Sequence, residues 1–208
     1  MKYQVGIIDY GVGNIFSLVR SFEYIGINAK LIKTPEMMGE SERIILPGVG
    51  AFSDARTKLT ESGMEEELLK EAKEGKPLLG ICLGMQLLFE KSMEYGEHKG
   101  LGIVSGYIED MKKLLNNPNL KIPQIGWNAL FFPNEEKSEL FKYIKRGDYV
   151  YFVHSYSAVN CEDSLIAYTD YSYPVTAAVA KDNVYGVQFH PEKSGEVGLN
   201  ILRAFCEI

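Results

Sequence analysis

Leu78-Leu79-Gly80-Ile81-Cys82-Leu83-Gly84-Met85-Gln86 reads as a strand, a tight turn and the start of a helix. The apolar run Leu78 to Ile81 has strand length, and the segment Met85 to Lys91 is predicted to continue as a helix. Between them stands a cysteine with glycine two residues to either side, the thiol version of the G-x-S-x-G elbow. A sharp turn needs small neighbours, which gives both glycines a steric reason. Such a turn lifts the Cys82 side chain above the sheet and brings the Leu83 N–H beside a developing oxyanion. A helix N-terminus there also favours a thiolate. The alternative is a buried cysteine between two packing glycines, since a five-residue pattern also arises by chance.

Upstream, Tyr3 to Asp9 is a β-rich run followed by the Gly-rich turn Tyr10-Gly11-Val12-Gly13-Asn14. Ile15, Leu18, Val19, Phe22 and Ile25 then fall at helical spacing. Ala29 to Ile32 and Arg43 to Leu46 read as further strands, and Ala51 to Lys73 as helical with a break at Gly63. Alternation of strand and helix over about 90 residues predicts an α/β fold, a mostly parallel central sheet with helices on both faces. The Gly11-x-Gly13 turn is no dinucleotide fingerprint, because Phe16 occupies the place of the third small residue. From Asn128 onward the pattern changes to closely spaced aromatic and β-branched runs: Ala129 to Phe132, Tyr149 to Val153, Leu165 to Tyr168, Val175 to Ala180 and Val184 to Phe189. These predict a smaller mixed or antiparallel sheet in the C-terminal half, closed by a helix from Val197 to Phe205. No linker, repeat or low-complexity segment divides residues 1–208, which are read as one domain.

Composition narrows the function classes. With 46% hydrophobic and 24% charged residues, 208 residues bury a sizeable core, which excludes disorder and collagen-like structure. A net charge of −6 without a basic block argues against nucleic acid as a partner. The longest apolar stretch, Pro77 to Phe89, is too short to span a bilayer, and the first residues lack the pattern of a signal peptide, so no membrane role is expected. Three cysteines without framework spacing predict reduced thiols in the cytoplasm. Neither a metal nor a cofactor is implied, because the three histidines and three cysteines show no zinc spacing.

A nucleophilic cysteine needs a base, and the candidates are His98, His154 and His190. His190 ends the run Val184 to Phe189, and Glu192 follows after Pro191. In an extended segment, position i+2 points to the same side as i, so Glu192 would fix the imidazole tautomer as the third member of a triad. A surface turn that happens to hold a His and a Glu is the alternative. His98 sits in a polar loop and reads as solvated, while His154 reads as a hydrogen-bonded structural histidine. Cys161 has acidic neighbours that disfavour a thiolate, and Cys206 reads as core.

Gly80-Ile81-Cys82-Leu83-Gly84-Met85-Gln86 and Gly186-Val187-Gln188-Phe189-His190-Pro191-Glu192 together resemble the class I (triad) glutamine amidotransferases. Within that class, Ile8 to Asn14, Pro47 to Phe52, Gly126-Trp127-Asn128, Tyr151 to Tyr156 and Gln188 to Ser194 resemble the amidotransferase subunits of imidazole glycerol phosphate synthase in histidine biosynthesis. The resemblance implies a flavodoxin-like fold and a glutaminase. Cys82 would form a γ-glutamyl thioester with L-glutamine, His190 would act as base and acid, and Glu192 would orient His190. Val49 and Leu83 would supply the oxyanion hole, with a peptide at Val49 that rotates. Gly48, Gly50, Gln86, Ser155 and Tyr156 would hold the substrate. The implied partner is a (β/α)₈ cyclase that receives ammonia and makes imidazole glycerol phosphate and aminoimidazole carboxamide ribotide, with Asn14 and Trp127 toward it; a core aromatic is the other reading of Trp127. Ile122-Pro123-Gln124-Ile125 departs from the family, many of whose members carry His-Met before the Gly-Trp-Asn. Other readings are a glutaminase for another synthase, such as one that aminates sugars, a free-standing γ-glutamyl hydrolase, and a non-catalytic scaffold subunit.

Overall fold

The computed structural model describes residues 3–117 and 119–208. In chain order the elements are β1 (Val5–Ile8), α1 (Ile15–Tyr24), β2 (Ala29–Ile32), β3 (Ile44–Leu46), α2 (Phe52–Glu61), α3 (Met64–Lys73), β4 (Leu78–Ile81) and α4 (Leu83–Leu87). There follow β5 (Phe89–Ser92), β6 (His98–Lys99), β7 (Val104–Asp110), β8 (Gln124–Ala129), β9 (Tyr149–His154), β10 (Tyr156–Val159), β11 (Leu165–Asp170), β12 (Pro174–Lys181), β13 (Val184–Val187) and α5 (Gly195–Cys206).

Seven strands form the main sheet in the order β11-β12-β13-β4-β3-β1-β2. The five from β13 to β2 are mutually parallel, while β12 runs antiparallel to both neighbours. This is the doubly wound order of flavodoxin-like folds. Its strands are apolar on both faces because both faces are covered. Val5, Ile7, Ile45, Leu79 and Ile81 point to the side that packs Leu18 and Phe22 of α1 and Ile201, Leu202 and Phe205 of α5. Ile8, Ile44, Leu46 and Leu78 point to the other side, against Leu59 of α2 and Leu68 of α3. Alternation of side chains along each strand thus fills two cores from one sequence run. The predicted break at Gly63 is a left-handed residue, φ 71°, between α2 and α3. Among the described residues no helix is long and apolar enough to cross a membrane.

Three expectations need correction. The helix predicted to reach Lys91 ends at Leu87, and Phe89–Ser92 is strand. Leu87, Leu88 and Phe89 are all fully buried, and their carbonyls accept from Leu101, Ile103, Val104 and Gly102 instead of continuing the helix. Consecutive burial, unlike one-sided burial, is not a helical signal. Secondly, the run Ala129 to Phe132 is not a strand. Pairing with β9 ends at Ala129, and the aromatic signal reflects burial of Phe132 and a lone bridge from Phe131 to Tyr168. Thirdly, the small sheet begins well before Asn128. It has four strands in the order β10-β7-β5-β6, while β8 and β9 form a separate two-stranded ribbon and β11 to β13 extend the main sheet.

Candidate active site

Three adjacent strands deliver the site. β3 runs out into Pro47-Gly48-Val49-Gly50, β4 into Cys82, and β13 into Gln188-Phe189-His190. Since β13, β4 and β3 are neighbours and parallel, these loops leave the same edge of the sheet. The carboxyl edge is where ligands of open α/β sheets bind.

At Cys82 the chain turns with φ 55° and ψ −112°, a backbone region costly for a residue with a side chain. The turn is held by its Val187 acceptor: the Cys82 N–H donates to that carbonyl at 2.8 Å. The two flanking glycines have the packing role expected of them. A Cβ on Gly84 would land on the Leu46 carbonyl oxygen, and one on Gly80 would lie 2.7 Å from the Gly84 oxygen. The short helix α4 therefore sits directly on the ends of β3 and β4.

His190 is buried, and its Nδ1 lies 2.8 Å from Oε1 of buried Glu192. A carboxylate accepts, so Nδ1 carries a proton, and Nε2 is left for the Cys82 thiol, which lines the same cleft. Burial alone would lower the pKa of His190. The neighbouring Cys82 and the Glu192 carboxylate outweigh it and hold the pKa up, at about 9. The juxtaposition is the expected one, but its cause is not an extended segment. Only His190 is extended; Pro191–Lys193 is a single 3₁₀ turn that curls Glu192 back beneath the ring. The Ser194 hydroxyl fastens this turn by donating to the His190 carbonyl at 2.6 Å.

In front of Cys82 and His190 lies a cleft of about 550 Å³. Val49, Gly50, Leu83, Gln86, Ser155 and Tyr156 all line it, as expected from the sequence. Gly48 stands behind it, against the backbone of Gly84, and Glu192 lies behind His190. Asn14 stands immediately before α1 without a side-chain capping hydrogen bond, and the adjoining Gly13 packs on Pro47. Trp127 is no core aromatic: it is 51% exposed on the outer face of the β8–β9 ribbon, with Ile125 and Tyr149 also exposed on that face.

Other residues escaped the sequence reading. Gln188 is fully buried between the nucleophile and the cleft floor: its amide faces Cys82 Sγ at 3.7 Å and its Oε1 accepts from Gln86 at 2.9 Å. Glu94 and Tyr95 come from the loop between β5 and β6, Asp110 ends β7, Lys112 stands in the short turn after it, and Lys193 in the turn after His190. Gln188 and Lys193 stand inside motif segments, whereas Glu94 and Asp110 carry no local pattern. His154 lines the cleft as well and bonds the Tyr156 carbonyl through Nδ1 at 2.8 Å. Burial, and secondarily repulsion from His190, drive its pKa down to about 4. His98 lies on the edge strand β6, away from the cleft. Burial pushes the Cys161 thiol up, and Cys206 up to about 12.

Residues 6–207 match the glutamine amidotransferase class-I family. The chain belongs to that family. The imidazole glycerol phosphate synthase subunit HisH of Wolinella succinogenes is 50% identical to this amidotransferase over 205 residues, 98% of this chain and 99% of the relative. The subunit of the same name from Caldanaerobacter subterraneus subsp. tengcongensis is 48% identical over 205 residues, 98% of each. Among solved structures, PurLQS from Thermotoga maritima shares the fold with a TM-score of 0.76 at 19% identity, covering 100% of this amidotransferase and 99% of that chain. A crystal structure of a glutamine amidotransferase gives 0.74 at 21%, covering 98% and 97%.

Proposed function

We propose that this chain is the glutaminase subunit of an imidazole glycerol phosphate synthase, working as one amidotransferase domain over residues 1–208. The observation that carries the reading is Cys82 on a strained elbow, sharing one cleft with a His190 whose Nδ1 is held by Glu192. Cys82 Sγ, its proton already passed to His190, attacks the side-chain carboxamide carbon of L-glutamine. His190 then gives that proton to the departing nitrogen, which leaves as ammonia, and a γ-glutamyl thioester remains. Water, deprotonated by His190, cleaves the thioester to glutamate and restores the thiol. The N–H groups of Leu83 and Val49 stabilise the oxyanion, the latter after its peptide rotates. Gly48, Gly50, Gln86, Ser155 and Tyr156 shape the substrate site. The rim adds the carboxylates Glu94 and Asp110 and the ammonium groups Lys112 and Lys193, a charge set that suits the zwitterion of an amino acid.

Ammonia is useful to a synthase only while it is unprotonated and enclosed, which calls for a docked partner. The outer face of the β8–β9 ribbon supports one: Ile125, Trp127 and Tyr149 are exposed together there, and exposed aromatics are the common anchors of interfaces. The partner is a (β/α)₈ cyclase that spends the ammonia on imidazole glycerol phosphate and aminoimidazole carboxamide ribotide, with Asn14 and Trp127 on the contact surface. We place the pair in the cytoplasm, in keeping with three free thiols.

The test is glutamate release from glutamine by the purified chain, alone and with the cyclase and its nucleotide ligand. Strong stimulation in the mixture is the expected outcome. Cys82→Ala should abolish glutamine-dependent synthesis in the complex and spare synthesis driven by ammonium salts. Loss of both would overturn the division of labour.

A further inference from the structure

Two buried acceptors without donors belong to one cross-strand pair of the β8–β9 ribbon. Gln124 and His154 are directly opposed in the ladder, so their side chains share one face. Gln124 is 0% exposed and His154 6%. The Tyr156 carbonyl can only accept, so the hydrogen of His154 is on Nδ1 and Nε2 presents a bare lone pair. That Nε2 is buried and has no partner. The Gln124 amide nitrogen donates to Asn128 Oδ1 at 3.0 Å, which leaves Oε1 as an acceptor, also buried and without a partner. Buried polar atoms are nearly always satisfied, so two orphans of one kind on one cross-strand pair call for a shared donor.

Position and chemistry suggest which donor. His154 lines the cleft with Cys82 and His190, and Gln124 directly follows Ile122 and Pro123, which line it too. The opposite face of the same ribbon carries the exposed Ile125 and Trp127. The pair thus stands between the nucleophile and the surface read as the partner's. We propose that Gln124 and His154 are positioning residues that receive the ammonia released at Cys82 by accepting its N–H groups, and so direct it toward the partner rather than into solvent. The inference rests on the glutaminase reading and deepens it. Ammonia brings three N–H donors, and its own lone pair must stay unprotonated. A pair that only accepts binds it through those hydrogens, and His154, held neutral by burial, has no proton to give it.

The test is the stoichiometry of the reconstituted complex of this chain with its cyclase. Glutamate, imidazole glycerol phosphate and free ammonia are measured together from glutamine. The wild type is expected to form one product per glutamate. In His154→Leu and Gln124→Leu, whatever the rate of glutamate release, product per glutamate should fall about fivefold or more, with the missing nitrogen appearing as free ammonia. His154→Gln, which keeps an acceptor, should recover much of the ratio. A ratio that stays at one in both leucine variants overturns the proposal. So does a rise in KM for glutamine with the ratio unchanged, which would assign the pair to substrate binding. A wild-type complex that releases no glutamate fails the glutaminase reading itself, a distinct result. If the leucine variants do not fold, the histidine ¹⁵N spectrum of the Cys82→Ala chain decides. The His154 Nε2 signal should shift and saturate as ammonium chloride is added at alkaline pH, and an unmoved signal, as expected if only water sits there, overturns the proposal.

Discussion

At Cys82 the side chain is served by groups from three places in the chain, and each makes a separable contribution. Gln188 is the least obvious of them, because it is itself fully buried behind the cleft, where its amide bridges the sulfur and Gln86. A hydrogen bond to a charged group contributes about 1.5–3 kcal/mol, and a thiolate is the reacting form. Gln188→Leu keeps the volume and removes the donor, so kcat/KM for glutamate release should fall roughly 10- to 100-fold, while loss of the acceptor for the buried Gln86 amide lowers stability by about 1–3 kcal/mol. Steady-state kinetics beside a thermal melt checks both halves of that statement. Glu192 acts through His190 alone. Glu192→Gln retains an acceptor for Nδ1 but removes the charge that helps to hold His190 at about 9. The imidazolium is then lost at lower pH, and the alkaline limb of the pH–kcat/KM profile should move down toward the ordinary histidine range. An unmoved limb would mean that the carboxylate does not tune the ring.

The elements show how this catalytic geometry depends on close backbone contact. Helix α4 rests on the ends of β3 and β4 only because Gly84 has no side chain. Gly84→Ala should push α4 off the Leu46 carbonyl and disturb Cys82 and the Val49 segment together. We expect a loss on the order of 3 kcal/mol or more, or no soluble protein, read by urea unfolding. The ribbon β8–β9 makes the opposite case, since Trp127 is 51% exposed and meets Tyr151 edge-on, ring centroids 6.1 Å apart. Trp127→Ala should leave the melting temperature unchanged and weaken cyclase binding by about 2 kcal/mol or more, measured by titration calorimetry. The elements that build the elbow were legible because their signals are local. Apolar runs of strand length, a left-handed glycine at 63 and the Gly-x-Cys-x-Gly spacing each occupy a few consecutive residues. The small sheet was legible as a mixed sheet but its early strands were not, because β5 and β7 are paired by tertiary contacts rather than by a local pattern after Met85. For the same reason Cys82, His190 and Glu192, which the structure brings together, could be named from sequence, while Glu94 in the loop after β5 and Asp110 at the end of β7 could not.

For the molecule as a whole, two buried histidines with opposite shifts define the pH range in which the fold is most stable. His154 is held neutral, its pKa lowered to about 4 chiefly by burial. Between about 6.5 and 4 the unfolded chain takes up a proton that folded His154 refuses, so stability falls as the pH falls. His190 is the reverse case, raised to about 9 by Cys82 and Glu192 against the effect of burial. Its contribution is complete below 6.5 and disappears as the pH rises through about 9, because the folded chain then loses a proton that the unfolded chain no longer carries. Stability should therefore peak near the ordinary histidine pKa and decline on both sides. The acid limb can reach roughly 3 kcal/mol, from the difference between the folded and unfolded pKa of His154. The alkaline limb should be shallower, since Cys82 and His190 exchange protons within the same pair. Two substitutions separate the limbs. His154→Phe removes the group that refuses the proton and should flatten the acid limb while leaving the alkaline one. Glu192→Gln should flatten the alkaline limb and leave the acid one. Urea unfolding midpoints from pH 4 to pH 9 for the three proteins would show this directly. An acid limb that survives His154→Phe would move the responsibility to the carboxylates, of which Glu65, held down by its hydrogen bonds to Arg56, is the partly buried candidate.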